Sequence, residues 1–304
     1  SIYFSKGAYN SSKAAAPFLE IWDVLKPNSN SQLDDGAFAE SKANLDEAKS
    51  SFQRASAELK NVNSDVLPNF VSNKVGTYED GLEKITREID TARTLASEVP
   101  NLLGAKDQAK TYLILFQNSN ELRPTGGFIG SYSIMELKNG KIENLTIDDI
   151  YNPDGQIDVQ NIDTGEPQIV GEIVGEEKQY IRNANWNPDF NKSAQKITDL
   201  YQQVTQKQID DVIAIDLYFV KNLLEVTGPV YLTAYGEEIS ADNLYERTQY
   251  HSGFNYENGS NQKKDFLTVL GSKVLENIFS LDKDDLPKLL EQVGMSLSQK
   301  HLLI

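Results

Sequence analysis

The sequence predicts a mixed-sheet domain of the α/β or α+β class, preceded by an all-α helical hairpin. Three observations carry that prediction. The first third of the chain has an apolar repeat at heptad spacing, strand-like and helix-like runs alternate after it, and an Asn139-Gly140 pair links two of the strand-like runs. The expected division is 1–105 for a coiled-coil-like helical spacer and 106–304 for the α/β domain, with Pro100 to Lys110 as the boundary.

Within the spacer, Phe38, Leu45, Phe52 and Leu59 recur at heptad spacing, and Ser41, Ala48, Ala55 and Val62 fall between them. Small residues at one seam position suit close helix packing. A second seam runs through Leu82, Ile85, Ile89, Ala92, Leu95 or Ala96, and Val99. Asn63 to Gly76, with Pro68 and Gly76, is expected to reverse the chain so that two helices pack antiparallel. A shorter helix is expected around Lys13 to Leu25, followed by a loop over Lys26 to Ser31. The hairpin reads as a stalk or partner-docking surface, with self-association through its seams one such use, or as plain intramolecular packing.

In the second region, Tyr112–Phe116 is an apolar run with the length and composition of a buried strand. Further strands are expected at Ser131–Leu137, Lys141–Ile147, Val212–Ile215 and Val230–Thr233. The Asn139-Gly140 pair is a strong hairpin signal. Helices are expected at Asn191–Val204, Leu217–Val226, Ala241–Thr248, Asn261–Phe279 and Leu286–Val293. Asp216 is placed to cap the second of these, and Gly228-Pro229 follows its end. Ile150 to Gln179 is acidic and rich in Gly, Asn and Pro, and reads as one long loop, the usual form of a lid or binding loop. Lys300 to Ile304 reads as the start of a strand cut short.

The 304 residues carry a formal charge of −16, which argues against a nucleic-acid binder and against docking on anionic lipid. The chain has no cysteine, so disulfides, thiolate metal sites and cysteine catalysis are excluded. Only His251 and His301 are present, which makes a histidine metal site a poor fit. No run approaches the ~18 apolar residues of a membrane helix. No phosphate-binding Walker loop, hydrolase elbow, dinucleotide fingerprint or zinc-protease motif occurs.

The densest polar stretch follows the first strand. Asn118, Asn120, Glu121 and Arg123 precede Pro124-Thr125-Gly126-Gly127, a turn whose two glycines can reach positive φ. As a site, Arg123 would hold a phosphate or carboxylate while the Gly126-Gly127 backbone forms an anion nest. As structure, Glu121 and Arg123 would pair and brace the turn. Arg182, Asn183, Asn185 and Asp189 form a second cluster around Trp186, which reads as core filler or as a sugar-stacking ring; Asp189 or Asn191 reads as a helix cap. Asp148 and Asp149 read as a solvated strand end or as catalytic carboxylates holding Mg²⁺ with substrate phosphates. Arg247, His251, Lys263 and Lys264 are scarce positive charges that read as an anion site or as solvated helix ends.

Gln117 to Tyr132, QNSNELRPTGGFIGSY, resembles the signature of a bacterial envelope family known as domain of unknown function 4012. Arg182 to Phe190 and Asp211 to Val230 resemble the same family. The resemblance implies an extracytoplasmic protein of the cell envelope, held to the cytoplasmic membrane by a helix preceding Ser1. The order of elements from Tyr112 is also similar to the LytR-CpsA-Psr family, which transfers lipid-pyrophosphate-linked glycopolymers to the cell wall. Ile181-Arg182-Asn183-Ala184 and the hairpin at Lys138 to Lys141 carry that likeness. That family's Mg²⁺-binding aspartate and catalytic arginine have no counterparts at Gly130-Ser131 and Ile147 to Ile150, and its arginine-rich stretch corresponds to Gln262-Lys263-Lys264.

Three functions are therefore expected in order. The first is binding of an anionic glycopolymer or its lipid-linked precursor through Asn118, Glu121, Arg123, Thr125, Gly126 and Gly127, supported by Arg182, Asn183 and Arg247. The second is Mg²⁺-assisted phosphoglycosyl transfer using Asp148 or Asp149 with Arg123. The third is a non-catalytic, self-associating surface subunit.

Overall fold

The computed structural model describes residues 2–26, 29–61, 68–105, 108–119, 121–165, 169–251 and 262–304. The chain divides into two compact units, Ser1–Ala109 with Lys138–Lys141, and Lys110–Leu137 with Ile142–Ile304.

The first unit is helical: α1 (Ile2–Ala14), α2 (Ala16–Leu25), α3 (Asp35–Lys60) and α4 (Asn69–Leu102). Asp34 caps α3 by accepting from the Gly36 and Ala37 amides. The heptad seam faces inward. Phe38, Ser41, Leu45, Ala48, Phe52 and Ala55 are buried, and so are Leu82, Ile89 and Ala96 from α4. Of the alternatives Leu95 and Ala96, only Ala96 is in the seam; Leu95 is exposed. Val62 lies outside the described residues.

Two expectations are corrected here. The single helix at Lys13–Leu25 is two helices broken at Ala15, with Pro17 in the first turn of α2, where its missing N–H costs nothing. Gly76 is not in the reversal; it lies inside α4, which begins just after Pro68. Helix α4 runs through Pro100 to Leu102, and Leu103 and Ala105 donate to the Val99 and Pro100 carbonyls.

The second unit is a mixed α/β fold. Strands β1 (Lys110–Asn118), β2 (Phe128–Lys138) and β3 (Lys141–Asp149) are followed by α5 (Tyr151–Val159) and α6 (Ile169–Val174). A 3₁₀ turn at Ile181–Asn183 leads to α7 (Phe190–Thr205), β4 (Asp211–Asp216) and α8 (Leu217–Thr227). Then come β5 (Val230–Leu232), β6 (Glu237–Ile239), α9 (Leu244–Gln249), α10 (Gln262–Ser280), α11 (Leu286–Ser298) and β7 (Leu302–Leu303). The five-stranded sheet has the order β3-β2-β1-β4-β7, and β5 and β6 form a separate ribbon.

β1 sits at the centre, antiparallel to β2 and parallel to β4. A central strand is covered on both faces, which is why its sequence is a continuous apolar run. Leu113 and Leu115 turn toward a core shared with Ile129 and Ile134 of β2, Ile157 of α5, Ile197, Leu200 and Val204 of α7, and Val212 and Ala214 of β4. Asn139 and Gly140 both have positive φ, as the tightest hairpin turns require. The Asp216 carboxylate accepts from the Phe219 amide at 3.0 Å and caps α8, and Gly228 at φ 77° ends it.

The long loop expected over Ile150–Gln179 is replaced by two helices. Pro153 sits in the first turn of α5, and Ile150 and Ile157 are fully buried. Asp154 occupies the inward position between them, so the apolar period is broken by a buried carboxylate. The ribbon strand β6 was not expected, and α9 begins at Leu244 rather than Ala241.

Candidate functional site

The carboxyl ends of parallel β1 and β4 open at the point where the chain leaves β1 toward β2 on one side and β4 toward α8 on the other. Open α/β sheets place ligands at such a divide. Here the register pairs Gln117 with Asp216, and a bulge between Phe116 and Gln117 shifts β1 relative to β2. The turn Pro124 to Gly127 and the segment Arg182 to Asn185 meet above this end.

Their meeting is built from specific contacts. Arg123 donates from Nε and Nη2 to Asn183 Oδ1 at 3.3 and 3.1 Å, and from Nη1 to the Leu122 carbonyl at 2.9 Å. Thr125 is buried and donates to the Asn185 carbonyl, and Asn185 returns a bond from Nδ2 to the Gly127 carbonyl at 2.7 Å. The two polar clusters of the sequence are thus one structure, stitched at Arg123–Asn183, Thr125–Asn185 and Gly127–Asn185.

Gly126 and Gly127 do have positive φ, at 109° and 140°. A Cβ on Gly127 would stand 2.2 Å from the Asn118 carbonyl oxygen, and one on Gly126 would stand 2.6 Å from Gln117 Oε1. Close backbone approach therefore demands both glycines. The anion-nest expectation is corrected in part, because the Gly126 amide already donates to the Arg123 carbonyl. The Glu121–Arg123 pair does not form: Glu121 accepts from Asn118 Nδ2 instead, while its backbone carbonyl receives the Phe128 amide. Asn120 lies outside the described residues.

Arg182 is differently occupied. Its guanidinium bonds Asp154 at 2.9 Å and Glu176 at 2.6 Å and lies over the Tyr180 ring. Glu176 also accepts from Asn183 Nδ2. Asp154 is only 1 % exposed. Burial pushes its carboxyl up to about 6, against the opposing pull of Arg182 and of the Ile181 and Arg182 amides. Burial would lower the Arg182 pKa, but the two carboxylates beside it hold that pKa above its ordinary value. Arg182 is thus a neutralised brace rather than a spare charge.

Arg247 is also neutralised, by Glu237, and its guanidinium lies over the Tyr250 ring. His251 stacks on Phe266 and meets the same Glu237. The side chains of Lys263 and Lys264 lie outside the described residues. Asp148 and Asp149 are used locally. Asp148 accepts from the Asp149 amide and from Asn152, and Asp149 accepts from the Tyr151 amide. Among the described residues no group of three His, Asp or Glu side chains is arranged to hold a metal. Asp189 caps α7 through the Asn191 amide, and Trp186 is half-buried.

A cavity of about 100 Å³ lies beside the turn, between β1, β2, β4 and helices α8, α9 and α10. Its walls are largely apolar, with Gln117, Asn118, Ser131, Asp216, Thr248 and Gln249 as the polar exceptions. Asn118 belongs to both places, since it lines the cavity and bonds Glu121 in the loop.

Sequence reasoning did not single out Gln117, Ser131, Asp154 or Glu176. Gln117 carried a usable signal: a polar residue closing an apolar central strand. Asp154 carried another, in the Asn-Pro-Asp start of a helix.

No helix among the described residues is long and apolar enough to cross a membrane. No curated protein matches the chain. Residues 107–252, which contain both polar clusters and the β4–α8 segment, match the family described as Protein of unknown function (DUF4012).

Proposed function

We propose that the α/β unit binds an anionic envelope glycopolymer or its lipid-pyrophosphate-linked precursor, as part of an extracytoplasmic protein anchored by a segment preceding Ser1. One observation carries this reading. Of the three arginines in the unit, Arg182 and Arg247 are neutralised by carboxylates, whereas Arg123 is held by uncharged partners among the described residues, the oxygens of Asn183 and Leu122 and the face of the Phe128 ring. A half-buried guanidinium fixed by neutral acceptors keeps its charge available to an incoming anion. The likeness of Ile181 to Ala184 to the LytR-CpsA-Psr motif points to the same ligand class.

The test compares the parent with Arg123→Ala for binding purified anionic wall polymer at low salt. The reading expects at least a ten-fold loss in the variant, on the scale of one charge-assisted contact. Equal binding by both would refute the role given to Arg123.

A further inference from the structure

The cavity at the ends of β1 and β4 contains a feature that anion binding does not use. Gln117 is 5 % exposed and Ser131 is 3 % exposed, and both line the cavity. Neither Gln117 Nε2 nor Ser131 Oγ has a hydrogen-bond partner among the described residues. The side-chain oxygen of Gln117 lies against Gly126, at the point where a Cβ there would strike it, so the turn fixes one end of the amide. Buried donors are normally paired, because leaving one unpaired is costly. Two in one cavity point to an acceptor that arrives with a ligand.

The rest of the cavity defines that ligand. Phe116, Ile215, Leu217, Val220, Leu267 and Leu270 make an apolar wall suited to a hydrocarbon chain. Asp216 lines the same space, with its Oδ2 beside His301 Nδ1 at 2.8 Å, so a second carboxylate would meet a like charge. We infer that this cavity binds a neutral acyl chain, with its ester or amide carbonyl accepting from Gln117 Nε2 and the Ser131 hydroxyl. An isoprenoid or plain alkyl tail offers no acceptor at that point. This site goes beyond the anion reading and stands without Arg123, because the ligand part it recognises is uncharged.

The experiment uses the full chain and two uncharged probes of equal chain length, a medium-chain monoacylglycerol and the matching monoalkylglycerol ether. They differ in the carbonyl alone. The parent should bind the ester at least about five-fold more tightly than the ether, the worth of one of the two neutral hydrogen bonds the carbonyl accepts. Gln117→Leu and Ser131→Ala should each lose part of the preference, since each removes one of the two donors, and the double variant should bind both probes alike. Val220→Phe, which fills the cavity, should lose both probes. Circular dichroism checks that each variant is folded. Equal binding of ester and ether by the parent would overturn the carbonyl contact. Failure of both probes to bind, or unchanged binding by folded Val220→Phe, would overturn the site itself. Arg123→Ala should leave both affinities unchanged, so failure of the anion reading and failure of this one give different results.

Discussion

Arg123 and Asn183 are joined by two hydrogen bonds that converge on one oxygen, Asn183 Oδ1. The other end of the same amide donates to both oxygens of Glu176. Asn183 therefore separates a guanidinium from a carboxylate that would otherwise be its natural partner. It is buried, so removing it leaves groups on both sides without their bonds. Asn183→Ala should destabilise the chain by about 1–3 kcal/mol, the cost of unmaking buried polar contacts. A urea midpoint equal to the parent's would contradict this.

The turn depends on Gly127 for a steric reason. A methyl group there would overlap the Asn118 backbone, at a φ that side chains rarely adopt. Gly127→Ala should cost at least about 2–3 kcal/mol and shift the loop. Gly155 is the matched control, since it lies in α5 with open space around its Cα. Gly155→Ala should instead stabilise by about 0.5–1 kcal/mol. Thermal melts of the two variants, moving in opposite directions, check both statements.

Asp154 makes stability depend on pH in an unusual direction for a carboxylate. Its folded pKa is raised to about 6 from 3.8, so between those values the folded chain keeps a proton that the unfolded chain has released. Its contribution to stability is full below the unfolded pKa and is lost as pH rises through about 6. Between about pH 5 and 7 the stability of the parent relative to Asp154→Asn should fall by about 1 kcal/mol. Urea unfolding of both proteins across that range measures it, and a difference that rises with pH would be the wrong sign.

Ala48 is completely buried in the seam of α3. Ala48→Leu should cost about 1–3 kcal/mol through overpacking. If denaturant melts show no loss, the close approach of the helices at that position is misread.

The seam itself was legible because heptad spacing and burial report the same thing: Phe38, Leu45 and Phe52 are both periodic and inside. The strands β1 and β4 were legible for a similar reason, as apolar runs closed by polar residues, and β2 and β3 from the Asn139-Gly140 turn between them. Asp216 and Gly228 marked the ends of α8 by their own chemistry. What escaped was structure held by long-range polar contacts. Asp154 breaks the apolar period of α5, and only its bonds to Ile181 and Arg182, far along the chain, explain why a carboxylate sits there. The sequence presented two separate polar clusters, and the contacts that join them were not legible in it. Local spacing suggested Glu121 with Arg123, whereas the fold brings Asn183 to that guanidinium across 60 positions. The cavity was invisible for the same reason: Gln117, Asp216 and Leu267 share no local pattern.

The most direct test of the central claim is a crystal structure of the chain soaked with a sugar pyrophosphate. The account predicts phosphate density within hydrogen-bond distance of the Arg123 guanidinium, beside the Gly126-Gly127 turn. Phosphate bound elsewhere on the unit, with Arg123 still held by Asn183, Leu122 and Phe128 alone, would contradict it.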